Sequence, residues 1–246
     1  MIFNVHGSTT STPSLNTDNN TTRNNTNNAR FLNNNQVTIS TATGCFSSDT
    51  LVTLINLQQI PIEKLRIGDE LLTIDGTKIV STEMIMMLDQ NQHSSVMFYT
   101  IITGSEHKVS LTSHHLIGMI NNDGDISYIP IKDIKHGDIL RVITNGQIYS
   151  SPVIDIKMEI KNGYYAPLTM TGTLLVNNID ASCFSNVKNH DIVQFYMSPL
   201  RWYYRLSRLL FIEKPFGDKT VDGIHYIAQM LYEIAQSIYP SILHFT

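Results

Sequence analysis

The chain has 246 residues, a formal net charge of −4 and a 42% share of hydrophobic residues, enough to fill a substantial core. An isoelectric point near 6.1 leaves no basic field of the kind nucleic acids attract, so no nucleic-acid partner is expected. The greasiest region, Trp202 to Ile212, is interrupted by Arg205 and Arg208, so nothing approaches the ~20 apolar residues of a membrane-spanning helix. Two cysteines, Cys45 and Cys183, are too few for a disulfide framework. With no Cys/His cluster at ligand spacing, no metal is expected.

Residues 1–43 are dominated by Asn and Thr and carry few large apolar side chains. Such a segment cannot bury enough surface to offset the entropy of ordering, and it reads as a disordered leader or linker. Its sequons, Asn19-Asn20-Thr21, Asn20-Thr21-Thr22 and Asn24-Asn25-Thr26, arise readily by chance in such a run. Met1 to Gly7 lack the basic flank and apolar run of a signal peptide.

From Cys45 onward the texture changes to short runs of Val, Ile, Leu and Thr, such as Thr50 to Ile55, Glu70 to Ile74 and Ile139 to Ile143. Asp75-Gly76, Asp123-Gly124 and Asn145-Gly146 punctuate them. Runs of this length between turn dipeptides predict an all-β fold. Within it the segment from Ile60 to Asp69, IPIEKLRIGD, recurs 69 residues later from Ile129 to Asp138 as IPIKDIKHGD. Two copies of one β unit sharing a core are implied, each with a short helical turn between its Pro and Gly and then a strand. The same offset carries Cys45 onto His114-His115, so a thiol and an imidazole occupy equivalent places in the two halves.

Beyond about Asn189 the period becomes helical. Trp202, Leu206, Leu209 and Leu210 form one stripe among Arg201, Arg205 and Arg208, and Ile224, Ile227, Ala228, Leu231, Ile234, Ala235 and Ile238 form another. Residues 44–188 are therefore expected to be the β domain and 189–246 a helical extension of two amphipathic helices. Their apolar faces suit packing on the β domain or a lipid surface, and periodicity does not separate the two.

Gly44-Cys45, at the edge of the structured region, suits an amide-to-thioester shift. Gly44 offers an unhindered carbonyl and Cys45 a thiol one peptide bond away, so the attack is intramolecular. In Thr112-Ser113-His114-His115, a hydroxyl and an imidazole three residues apart converge on one peptide if the chain turns. His115 could then protonate a departing amide nitrogen while Thr112 holds it. Taken singly, the first motif reads better as a buried core cysteine and the second as a surface or core histidine.

Together, Gly44-Cys45-Phe46, Thr112-x-x-His115 and Val176-Asn177-Asn178-Ile179-Asp180-Ala181-Ser182-Cys183 resemble the C-terminal autoprocessing half of hedgehog proteins. Asp222-Gly223-Ile224-His225-Tyr226 resembles that family's sterol-recognition region. The resemblance covers residues 44 to about 240. It implies the internally duplicated Hint horseshoe, the fold shared by hedgehog proteins and inteins, with a C-terminal α-helical extension. It also implies a self-cleaving activity without cofactor, in which Cys45 is the nucleophile, Thr112 and His115 activate the scissile amide, and Gly44 ends up esterified. Met87-Leu88-Asp89-Gln90-Asn91 matches the segment whose aspartate acts on the sterol hydroxyl, which assigns Asp89 as general base. Cys183 matches a second family cysteine that is not the nucleophile. By the same resemblance the co-substrate is cholesterol or a related sterol, met by Trp202, Leu206, Leu209, Ile224, Tyr226, Ile227 and Leu231 and with a membrane surface nearby. An upstream signalling peptide is cut in cis, along a secretory route. Water or another lipid as acceptor, and a catalytically silent Hint module, stay open as alternatives. The chain ends Leu243-His244-Phe245-Thr246, without the terminal His-Asn with which inteins splice.

Overall fold

The computed structural model describes residues 39–40, 44–185, 190–212, 215–217, 222–230 and 233. In chain order the elements are β1 (Ile39–Ser40), β2 (Phe46–Ser47), β3 (Leu51–Thr53), β4 (Gln59–Pro61), β5 (Glu70–Asp75) and β6 (Lys78–Thr103). There follow β7 (Lys108–Leu111), β8 (His115–Ile120), β9 (Ile126–Pro130), β10 (Ile139–Thr144), β11 (Gln147–Thr169), β12 (Thr173–Val176) and β13 (Ile179–Ser185). Helices α1 (His190–Tyr196) and α2 (Ser198–Leu209) and the short β14 (Gly223–Ile224) complete the described chain. The fold is all-β with a helical C-terminal extension, as the sequence implies.

The repeat is visible atom by atom. Pro61 and Pro130 open matching 3-10 turns, Ile62–Lys64 and Ile131–Asp133. The Asp69 carboxylate accepts the Arg66 N–H at 2.7 Å, and Asp138 accepts that of Lys135 at the same distance. Each turn then feeds a hairpin, β5–β6 or β10–β11, closed by the two-residue loops Gly76-Thr77 and Asn145-Gly146. Gly76, Asn145 and Gly146 have φ of 56°, 52° and 74°, the left-handed region that lets such a loop match the twist of its strands.

The long strands β6 and β11 pair with each other from Val153 against Thr103 to Thr169 against Met84, with four register shifts. They are the shared spine of the two halves. The core gathers along it, with Met84, Ile85, Met86, Leu88, Phe98 and Ile101 of β6 and Tyr165, Ala166 and Leu168 of β11 all buried.

Two features of the C-terminal extension differ from the sequence expectation. Ile224 does not begin a helix: with Gly223 it forms β14, which pairs antiparallel to Gln90 and Asp89 of β6. The backbone of β6 offers hydrogen bonds there that outweigh a helical side-chain period, and Gly223, at φ 115°, lets the chain turn into it. Helix geometry starts only at residue 226. Upstream there are two short helices rather than one, because Ser198-Pro199 restarts the helix with Pro at its first turn. Leu231, Ile234, Ala235 and Ile238 lie outside the described residues, as do residues 1–38 of the leader. No helix among the described residues is long and apolar enough to cross a membrane.

Candidate active site

Gly44 is buried at φ 86°, a conformation that favours glycine, and it delivers the chain into fully buried Cys45. The Thr112 hydroxyl oxygen accepts two backbone hydrogen bonds, from the N–H of Gly44 at 2.6 Å and from that of Cys45 at 2.8 Å. The second donor is the nitrogen of the Gly44–Cys45 peptide itself. Thr112 returns its own N–H to the Cys45 carbonyl at 3.1 Å, and its carbonyl accepts the N–H of His115 at 3.0 Å. That last bond is the turn that swings the imidazole back toward the peptide.

His115 is completely buried, edge-on to Phe46 with ring centroids 4.2 Å apart. Its Nε2 lies 2.8 Å from the Ser182 carbonyl oxygen. A carbonyl only accepts, so Nε2 carries the proton. Nδ1 is thereby the lone-pair nitrogen, and no hydrogen bond to it is made among the described residues. Burial pulls the imidazole pKa down to about 4 against the opposing pull of the Ser182 and Gly44 backbone, so the ring is neutral at physiological pH. His114 is different: half-exposed, its Nδ1 is 3.0 Å from the Ser113 hydroxyl and its Nε2 2.7 Å from Lys132 Nζ.

The segment from Val176 to Cys183 supports this arrangement. Asn177 and Asn178, at φ 48° and 64°, form the loop between β12 and β13. Asn177 locks it from both sides, donating to the Lys108 carbonyl at 2.6 Å and accepting the Leu51 N–H at 2.8 Å. Asp180 is fully buried, paired with Arg141 and accepting the Tyr128 hydroxyl at 3.0 Å. This strand then presents the Ser182 carbonyl to His115. Cys183 is buried with Sγ 3.4 Å from the Thr169 hydroxyl, and burial pushes its thiol up to about 11. Cys45 and Cys183 form no disulfide.

Strand register relates Asp89 to this centre. Ile224 faces Asp89, Asp89 faces Ala166, and Tyr164 and Tyr165 face Ser47 and Phe46. Carried one residue on, Ala166 faces Cys45, whose carbonyl meets the Thr112 N–H. Ile224, Asp89, Ala166, Cys45 and Thr112 thus form one row across five neighbouring segments, on one face of the sheet, since opposed residues share a face. Asp89 and Cys45 are separated by a single strand. Its edge on the other side is β14, tied by the His225 N–H to the Leu88 carbonyl at 2.8 Å. His225 is buried, accepting the Ile227 N–H on Nδ1 at 3.2 Å, with Nε2 3.1 Å from the Phe216 carbonyl.

The other expected lipid-contact residues lie apart from this row on an open surface. Trp202 is 68% exposed, Leu209 75% and Tyr226 68%, with Leu206 also exposed, whereas Ile224 and Ile227 are half-buried. Leu231 lies outside the described residues. Sequence reasoning missed Tyr164, buried in β11, whose hydroxyl is raised in pKa by burial and by the neighbouring Asp89. No local motif marks it.

The family model described as Hint module matches residues 33–240. The chain is 28% identical over 202 residues to the Sonic hedgehog protein of Danio rerio, covering 78% of this chain and 48% of that protein. It is 31% identical over 182 residues to Warthog protein 6 of Caenorhabditis elegans, covering 73% of this chain and 30% of that one. It therefore spans less than half the length of these relatives. Among solved structures, the PabCDC21-1 intein aligns with a TM-score of 0.50 at 14% identity, over 57% of this chain and 99% of the intein, a likeness of fold. With a family model spanning most of its length, the chain belongs to the Hint module family, with hedgehog proteins among its relatives.

Proposed function

We propose that this module cuts the Gly44–Cys45 peptide bond and passes the Gly44 acyl group to the hydroxyl of a sterol. The observation that carries the reading is the double hold of Thr112 on the Gly44 and Cys45 N–H groups, with a neutral, buried imidazole beside the same peptide.

In the first step the Cys45 sulfur bonds to the Gly44 carbonyl carbon. The thiol proton goes to Nδ1 of His115, whose lone pair is set by the Ser182 contact on Nε2. The imidazolium then gives that proton to the Cys45 nitrogen as the C–N bond breaks, leaving a thioester and a free α-amine. An imidazole with its pKa near 4 is a weak base and, once charged, a strong acid, which suits the harder half of the task, protonating an amide nitrogen. Thr112 keeps that nitrogen in place throughout.

In the second step an alcohol oxygen attacks the thioester carbon while Asp89 takes the hydroxyl proton. The C–S bond breaks, and the Cys45 thiolate recovers the proton. Asp89 suits this role because it lies one strand from Cys45, with the alanine methyl of residue 166 between them. A sterol is the favoured acceptor because exposed apolar side chains, Trp202, Leu209, Leu210 and Phe211 among them, accompany a cleft of about 630 Å3 lined by Glu83, Tyr204, Arg205, Arg208, Leu209 and Phe211, a size that accommodates a small lipid. The exposed arginines suit an anionic membrane beside it, on a secretory route. The segment upstream of Gly44 is the part released.

The test places the full chain behind a folded reporter and follows the reporter's intact mass with dithiothreitol, with cholesterol and with neither. Cleavage by both, with a sterol-mass adduct on Gly44 that Cys45→Ala abolishes, is the expected result. Cleavage by thiol alone would leave water or another lipid as acceptor, and no cleavage in any condition would refute the activity.

A further inference from the structure

Tyr164 stands at the join of the two steps. It lies two residues before Ala166 on β11 and faces Asn91 of β6 on one side and Ser47 of β2 on the other. It therefore shares the face of the sheet that carries Asp89 and Cys45, diagonal to both. On an antiparallel pair a diagonal neighbour is within reach of an aromatic side chain. Two strand spacings put the Asp89 and Cys45 backbones about 10 Å apart, and alanine is too short to touch either functional group across that span. The register depends on the residue before it: Gly163, at φ 79°, sits at the register shift between Asn162 and Tyr164. A Cβ at Gly163 would meet the Ser48 side chain at 3.1 Å and the Gln92 carbonyl at 3.3 Å. Without the shift Tyr164 would face His93; with it the phenol faces Asn91 and comes diagonal to Asp89.

We propose that Tyr164 is a positioning residue for the acceptor step: its phenol donates a hydrogen bond to the Asp89 carboxylate and holds it toward the thioester across Ala166. This rests on the reading of Asp89 as the base of that step. The phenol stays protonated, because burial and the Asp89, Cys45 and Asp222 charges all push its pKa upward, so it acts as a donor and does not compete with Asp89 for the substrate proton. The titratable groups gathered here are Asp89 of β6, Tyr164 of β11, Cys45 before β2, and Asp222 and His225 at either end of β14. The Gln92 N–H donates to Asp222 at 3.3 Å, which ties that carboxylate to β6 rather than to the phenol.

Tyr164→Phe removes the donor and keeps the buried ring. The expected result is a thiol-induced cleavage rate within twofold of the parent and a sterol-dependent rate lower by about tenfold, the loss that follows removal of one hydrogen bond to a charged group. The acid limb of the sterol-dependent rate moves to higher pH, because a carboxylate without its donor ionises later. A merely structural tyrosine would slow both reactions together and leave the limb in place, and that result overturns the proposal. So does a variant that transfers sterol at the parent rate. If the parent chain itself cleaves with dithiothreitol and with no sterol, the reading of Asp89 falls first and the role of Tyr164 falls with it.

Discussion

Acidification singles out the buried imidazole. In a Cys45→Ala background, which keeps the chain intact, His115 has a folded pKa of about 4 against an ordinary value of 6.5. The unfolded chain therefore binds a proton first, and the fold loses stability as pH falls from 6.5 toward 4. With those two values the loss amounts to about 2 kcal/mol at pH 5 and about 3 kcal/mol at pH 4. Carboxylates titrate over the same range, so the informative quantity is a difference. Urea unfolding of the parent and of a His115→Gln variant is measured from pH 7 to pH 4, and the gap between the curves should close as pH falls, by about those amounts. Glutamine can still donate to the Ser182 carbonyl and does not ionise. A gap independent of pH would refute the neutral, desolvated imidazole and with it the assignment of Nδ1 as the first proton acceptor.

Three further outcomes follow from the same geometry. Thr112→Val, which keeps the shape and removes the acceptor of the Gly44 and Cys45 N–H groups, should slow thiol-induced cleavage by about a hundredfold, while Thr112→Ser retains most of it. Intact-mass measurement of the cleaved fraction separates the two. With its thiol raised to about 11 by burial, Cys183 should resist iodoacetamide in the folded Cys45→Ala protein at pH 8 and react once it is unfolded in urea. Gly118→Ala should lower stability by about 2–3 kcal/mol, because the new methyl meets the Asp180 carboxylate at 2.7 Å while Arg141 and Tyr128 hold it there; a melting temperature unchanged by that substitution would count against a rigid buried pair.

Much of this architecture is legible in the sequence because it is written locally and twice. The Ile-Pro-Ile turns, the Gly-Asp steps and the Asp-Gly and Asn-Gly loops each encode a backbone conformation within a few residues, and the 69-residue offset matches Glu70 to Ile139 and Lys78 to Gln147 as strand starts. The neighbourhood of Cys45 and His115 follows from the same offset. What escapes is anything decided by register between distant strands. Tyr164 comes diagonal to Asp89 only because the ladder slips by two residues at Gly163, and such a slip re-pairs distant residues without leaving a trace in periodicity. Ile224 escapes for a related reason: its helical spacing is genuine, but open backbone groups on β6, more than a hundred residues away, offer it a better partner.

The spine made by β6 and β11 has a bearing on timing. Cys45 is synthesised before Thr112 and His115, the Ser182 carbonyl that sets the imidazole tautomer comes later still, and the strand that flanks Asp89 follows it. A growing chain therefore carries its nucleophile long before it carries the means to use it. On the proposed reading, completion of the fold is then the trigger for cleavage.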